Sequence, residues 1–193
     1  WDFPIAGGSQ QQLAGSLDGF VSRFSPDTPA APEAVSVTPS SGAGASQTFS
    51  FLFRDANGWQ EMRWTYMMIS SSLTAAKSCY IQYNYRENIV WLRDDSGDAW
   101  LGPATLGAAG TLENSQCSVD TTASSASGSG VDLTVALAIT FKSAYWGSKN
   151  IYMYAADTTG RTSGWQLRGT WTAGGNQVPE AVSVTPSSGA GMS

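Results

Sequence analysis

Along residues 131–141 the chain reads VDLTVALAITF: Val131, Leu133, Val135, Leu137, Ile139 and Phe141 alternate with Asp132, Thr134, Ala136, Ala138 and Thr140. A period of two held over this length predicts a β-strand with one buried face. QTFSFLF (47–53) alternates in the same way, with Phe49, Phe51 and Phe53 on one side and Leu52 on the other. CYIQYNY (79–85) and IVWLR (89–93) flank the turn Arg86-Glu87-Asn88 and are expected to form a hairpin. NIYMYAA (150–156) and WQLRGTW (165–171) are two more strands, joined by the turn-rich DTTGRTSG. Helical periodicity nowhere exceeds one or two turns. Short strands separated by polar turns predict an all-β fold, an immunoglobulin-like antiparallel β-sandwich. TTASSASGSG (121–130) lacks any such pattern, and its low-complexity composition predicts an exposed, mobile loop.

NGWQEMRWTYMMIS (57–70) carries apolar residues at both parities. With Thr65, Met67 and Ile69 on the core side, Met62, Trp64, Tyr66 and Met68 form an exposed stripe on the other face.

A repeat sets the domain boundaries. Residues 32–46 read PEAVSVTPSSGAGAS and residues 179–193 read PEAVSVTPSSGAGMS, differing only at Ala45 against Met192. The two copies start 147 residues apart, which marks 32–178 as one module and 179–193 as the first strand of a following repeat. Residues 1–31 are an irregular N-terminal extension and linker, in which DGFVSRF (18–24) alternates briefly; SPDTPAAPE (25–33), which runs on to Glu33, reads as stiff and extended. The spare strand at 180–185 predicts contact with neighbouring modules or with other copies of the chain.

The chain of 193 residues is 41% hydrophobic and 11% aromatic but only 13% charged, which excludes a disordered polymer. Its net charge is −5 with scattered basic residues, so no nucleic-acid partner is expected. No apolar run approaches the roughly 18 residues of a membrane-spanning helix. The chain starts at Trp1 without a methionine or an export signal, and is read as an excerpt of a longer product. Its two cysteines, Cys79 and Cys117, read in an export context as one disulfide, with two free core thiols as the alternative. The expected location is extracellular or at a bacterial cell surface.

PEAVSVTPSSGAGASQTFSFLFRDANG, SCYIQYNYRENIVWLRDDSGDAWLGPATLG, TLENSQCSV and NIYMYAADTTGRTSGWQLRGTW together resemble an immunoglobulin-like repeat of large extracellular acidobacterial-type proteins. The resemblance covers residues 32–173. The N-terminal WDFPIAGGSQQQLAGSLDGFVSRFSPD is similar, more weakly, to the end of a bacterial β-propeller repeat, with Asp2-Phe3-Pro4 and Asp18-Gly19-Phe20-Val21 in the matching places. Both resemblances imply a multidomain exported protein, and neither supplies catalytic residues.

The chain has no histidine, so Ser-His-Asp and Cys-His machinery and His-ligated metals are excluded, and no cofactor is expected. The favoured function is that of a non-enzymatic surface module for display, adhesion or glycan contact. Trp59, Trp64, Tyr66 and Trp146 are the candidate ligand contacts, because sugar C–H faces pack on aromatic rings. Trp91, Trp100, Trp165 and Trp171 are assigned to the core. The alternative is a small two-carboxylate glycoside hydrolase, with Glu61, Glu87 and Asp95 as catalytic candidates and the walls of Trp59 and Trp64 raising the pKa of Glu61. The same carboxylates also read as solvated turn residues. Asp95-x-Gly97-x-x-Trp100 resembles the structural Asp-box turn, in which the Asp bonds turn backbone and the Trp packs beneath. A Ca²⁺ site at Asp94, Asp95 and Asp98 is the lesser reading of that turn.

Overall fold

The structure is a computed structural model and describes residues 30–174. The N-terminal extension up to residue 29 and the second repeat copy at 179–193 lie outside the described residues.

Among the described residues, twelve strands form two sheets. One contains β1 (Glu33–Thr38), β3 (Ser46–Arg54), β8 (Thr111–Glu113), β9 (Cys117–Ser129) and β10 (Asp132–Phe141), in the order β1-β3-β10-β9-β8. The other contains β2 (Ala43–Gly44), β4 (Met62–Ser70), β5 (Cys79–Asn84), β6 (Ile89–Arg93), β7 (Trp100–Thr105), β11 (Gly147–Asp157) and β12 (Gln166–Ala173), in the order β2-β12-β11-β4-β5-β6-β7. Every pairing is antiparallel except the short parallel contact of β2 with β12. The fold is an all-β sandwich, as the alternation predicts.

The core lies between the sheets. Phe49, Phe51 and Phe53 of β3 and Leu133, Val135, Leu137 and Ile139 of β10 face Met67, Ile69, Ile81, Leu92, Ile151 and Met153 of the opposite sheet. The alternation holds to the register: Val135 stands opposite Phe51, and Leu137 opposite Phe49. Trp171 is buried with this core, its ring edge-on to Phe49 at 5.1 Å. Cys79 and Cys117 form a disulfide that ties β5 of one sheet to the start of β9 in the other.

The first repeat copy straddles both sheets. β1 lies at the edge of its sheet with Ala34 and Val37 buried, and the chain then crosses to the other sheet. There the amides of Thr170, Thr172 and Gly174 donate to the carbonyls of Ser40, Gly42 and Gly44. Arg168 Nε donates to the carbonyl of Ala34, so one segment fastens both sheet edges together.

Two expectations need correction. TTASSASGSG is not a loop: most of it is the second half of β9, paired residue by residue with β10 from Ser129–Asp132 to Ser125–Ala136. The ladder to a strongly patterned strand decides its conformation, overriding its weak composition. Its small residues also leave room, because Trp59 lies directly over Gly128, where a Cβ would come within 2.1 Å of the ring. Met62 is not on the outer face but fully buried. It pairs with Asp157 while Trp64 pairs with Ala156, so β4 carries an extra residue there, and this bulge returns Met62 to the core side.

Candidate functional site

The outer face of the seven-stranded sheet follows from register. Thr65, Met67 and Ile69 point inward, so Trp64, Tyr66 and Met68 point outward. Pairing sets Tyr154, Tyr66, Gln82 and Trp91 in one cross-strand row. Leu167, Tyr152, Met68, Tyr80, Arg93 and Trp100 form the row beside it. Arg93 stands opposite Tyr80 because Ile81 is paired with Leu92. None of these outward positions carries a carboxylate.

Two turns fold further rings onto this surface. Trp165 precedes β12 and lies 5.4 Å from Tyr154, 5.6 Å from Tyr80 and 6.3 Å from Tyr66. Trp100 begins β7 and approaches Tyr80 edge-on at 5.2 Å. Trp64 and Trp91 form a separate edge-on pair at 5.8 Å. The Arg93 guanidinium lies 4.1 Å from the centre of the Trp100 ring and donates to the carbonyl of Asp98. The rings are half-buried against one another, and Met68 beneath them is almost fully covered. Burial pushes the Tyr80 hydroxyl up to about 12 and raises that of Tyr66, so both remain neutral donors and acceptors at physiological pH.

Of the four predicted ligand contacts, the structure brings only Trp64 and Tyr66 onto this face. Trp59 sits in a 3-10 turn (Trp59–Glu61) at one end of the sandwich, against Gly128 and edge-on to Tyr85 at 4.9 Å. Trp146 lies at the opposite end, over Gly174, and joins no aromatic pair among the described residues. Contrary to the sequence expectation, Trp91, Trp100 and Trp165 are not core residues: Trp91 pairs with Trp64 on the outer face, and Trp100 and Trp165 join the cluster of Tyr80 and Tyr154. The missed signal is parity: in IVWLR, burial of Val90 and Leu92 forces Trp91 outward.

The carboxylates scatter. Glu61 is exposed and accepts a hydrogen bond from the Thr158 hydroxyl at 2.7 Å. Glu87 is exposed in the β5–β6 turn beside Asn84. Asp94, Asp95 and Asp98 lie at the other end of β6, about 20 Å along the strand from Glu87 at roughly 3.3 Å per residue. None of the five lines the cleft between Trp59, Tyr85 and Leu133 or the one between Ser148, Asn150 and Trp171.

In the β6–β7 turn the anchoring aspartate is Asp94, not Asp95. Its Oδ1 accepts the amides of Gly97, Asp98 and Ala99, and its Oδ2 accepts the Ser96 hydroxyl. These bonds hold its pKa below the usual range. Asp95 instead accepts the amide of Ser115 and pins the neighbouring loop. An oxygen surrounded by N–H donors suits structure rather than a cation. Among the described residues no group of three or more His, Cys, Asp or Glu side chains could hold a metal ion.

Asp55 is buried, and its Oδ2 has no partner among the described residues. Burial raises its pKa, and the charges of Asp157 and Glu61 raise it further. The folded state therefore binds that proton more tightly than the unfolded state. The charge costs stability in full at neutral pH, and the cost fades as pH falls through the raised pKa. Asp55→Asn is expected to raise the thermal midpoint at pH 7 by roughly 2–4 °C, with the gap from the parent closing on acidification. Calorimetry at pH 7 and pH 4 checks both halves. The lowered pKa values of Asp94 and Asp132 act in the other direction. Their stabilisation is present above the unfolded carboxylate pKa and is lost as pH falls through their folded values.

Comparison with protein-family models, with curated proteins and with solved structures finds no match to this chain. No helix among the described residues is long and apolar enough to cross a membrane.

Proposed function

We propose that the chain is a non-catalytic module of an exported bacterial surface protein, and that the outer face of its seven-stranded sheet contacts glycans. The observation that carries this reading is the cross-strand aromatic surface of Trp64, Tyr66, Tyr80, Trp91, Trp100, Tyr154 and Trp165. Aromatic rings offer faces and edges to sugar C–H groups. Asn84, Asn150 and the tyrosine hydroxyls supply donors and acceptors for sugar hydroxyls. Two guanidiniums, of Arg63 over Trp64 at 5.9 Å and of Arg93 over Trp100, and the lack of outward carboxylates favour neutral or acidic polysaccharides.

The disulfide and the low charge support an extracellular location. The repeated segment supports neighbouring modules of the same kind as further partners. The glycosidase alternative has less behind it, because Glu61 lies in the turn before β4, Glu87 and Asp95 lie in the turns at opposite ends of β6, and none of the three lines either cleft.

Retention on insoluble polysaccharides, together with a glycan array, tests the reading. The parent chain is expected to bind, Trp64→Ala to lose about tenfold in affinity, near 1.4 kcal/mol, and Trp146→Ala to bind as the parent does. No glycan signal, or a Trp64→Ala variant that binds as tightly as the parent, removes the proposal.

A further inference from the structure

Three aspartates follow Arg93 in the β6–β7 turn, and none of them pairs with it. Asp94 accepts the amides of Gly97, Asp98 and Ala99, and Asp95 accepts that of Ser115. Asp98 offers Arg93 only its backbone carbonyl, at 3.1 Å from Nη1. Among the described residues no carboxylate forms an ion pair with this guanidinium, whereas Arg54 grips Asp132 through both Nε and Nη2. Arg93 is held instead by cation–π contact, 4.1 Å from the centre of Trp100 and 5.8 Å from that of Tyr80. Its Nε is buried without an acceptor, so the group has already lost part of its hydration. Nη2 and the second N–H of Nη1 also have no protein acceptor among the described residues.

Arg63 repeats the arrangement at the other aromatic group. It is exposed, lies 5.9 Å over Trp64, and has no carboxylate partner among the described residues. Glu61, two residues before it, is engaged by the Thr158 hydroxyl. The Trp64–Trp91 pair and the Tyr80–Trp100–Trp165 group thus carry one guanidinium each, and the outward strand positions around them carry no Asp or Glu. On a chain of net charge −5, this face is locally cationic. Thr65 faces Tyr83 and Ile81 faces Leu92, which sets Arg93 four residues along the strands from the row of Trp64. At about 3.3 Å per residue, that is roughly 13 Å.

Resting on the glycan reading above, we propose that the ligand is an acidic polysaccharide containing hexuronate sugars. It lies along the strands, with sugar rings against the aromatic groups and carboxylates on Arg93 and Arg63. A planar carboxylate matches the free donors of Nη1 and Nη2 with two parallel N–H···O bonds. An arginine already fixed against two rings has little freedom left to lose on binding. Arg93 is the residue that sets the preference for acidic over neutral sugar, and the exposed Arg63 extends it to a second sugar.

Matched polymers test this on the full chain: polygalacturonate, the same polymer fully methyl-esterified, neutral xylan and dextran sulfate. Polygalacturonate is expected to bind at least roughly tenfold tighter than its ester, with the preference fading as salt is added. Arg93→Gln is expected to lose about tenfold for polygalacturonate, and the exposed Arg63→Gln about threefold, both binding the ester as the parent does. Arg93→Lys keeps the charge without the fork and recovers only part of the loss. Lys142→Gln removes a charge beyond the end of β10 and is expected to change nothing. Thermal melts identify any Arg93 variant that fails to fold, and Arg63→Gln, on an exposed side chain, then carries the test. Equal affinity for acid and ester, or binding to xylan alone, overturns the proposal and leaves the glycan reading standing. Binding to none of these polymers overturns it as well, and the glycan reading falls with it when a glycan array is also blank. Binding to dextran sulfate without polygalacturonate overturns it in favour of sulfate. A loss in Lys142→Gln equal to that in Arg93→Gln overturns it in favour of unspecific charge attraction, and so do folded arginine variants that bind polygalacturonate as the parent does.

Discussion

Replacing both Cys79 and Cys117 with serine is expected to lower stability by about 3–4 kcal/mol, from the entropy of the 38-residue loop that their bond closes. For a domain of this size that corresponds to roughly a 10 °C fall in the thermal midpoint. The bond matters because of what it encloses. β6, β7 and β8 all lie between the two cysteines, and within this stretch the chain passes from the edge of one sheet to the edge of the other. Released, those edge strands keep their ladders but lose the covalent tie between the sheets. Both cysteines are fully buried, so the serine hydroxyls also enter an apolar site and add to the loss. Thermal unfolding of the double variant against the parent measures this, and a fall of less than about 1 kcal/mol would contradict the loop-entropy account.

Phe49→Ala is expected to cost about 3–5 kcal/mol. The Phe49 ring is completely buried and meets Phe51 at 6.1 Å, Phe141 at 6.3 Å and Trp171 at 5.1 Å. These partners come from β3, β10 and β12, so the site joins both sheets and cannot collapse around the smaller side chain without moving a strand. Trp171 is held in addition by its indole N–H, which donates to the carbonyl of Gly44. Denaturant unfolding should show a lower midpoint with an unchanged slope. A Phe49→Ala midpoint within the range of ordinary surface substitutions would mean that the aromatic contacts contribute little beyond covering area.

Sequence patterning was sufficient for the strands that build the core. β3 and β10 alternate so regularly that their inward faces, their pairing partners and even the outward place of Thr134 follow from period two alone. The hairpin of β5 and β6, and the pairing of β11 with β12, follow from apolar runs around polar turns. β9 was not legible because its second half takes its conformation from β10 and from the ring of Trp59, both distant in sequence. The outer aromatic face was half legible. Trp64 and Tyr66 follow from β4, but Trp100 opens β7 straight after a turn and Trp165 precedes β12, where too little alternation flanks them for parity to place them, and only the fold brings them over Tyr80. Likewise Asp94 and Asp95 are adjacent and chemically identical, and only the direction of the turn decides which of them gathers the amides.

The ends of the described module lie at opposite poles. Glu33 stands beside Arg54 and Asp132, whereas Ala173 stands beside Gly147, past the far end of β10. Modules repeated in tandem would therefore form a string rather than a cluster, and tension on the string would run along the strands. Pulled at these two ends, β2 and β12 slide past each other in parallel. The bonds from Thr170, Thr172 and Gly174 to Ser40, Gly42 and Gly44 are then loaded together, not peeled singly. Should they yield, the Cys79–Cys117 bond keeps 38 residues from paying out. In such a string the disulfide would set a covalent limit to how far the described residues extend under load.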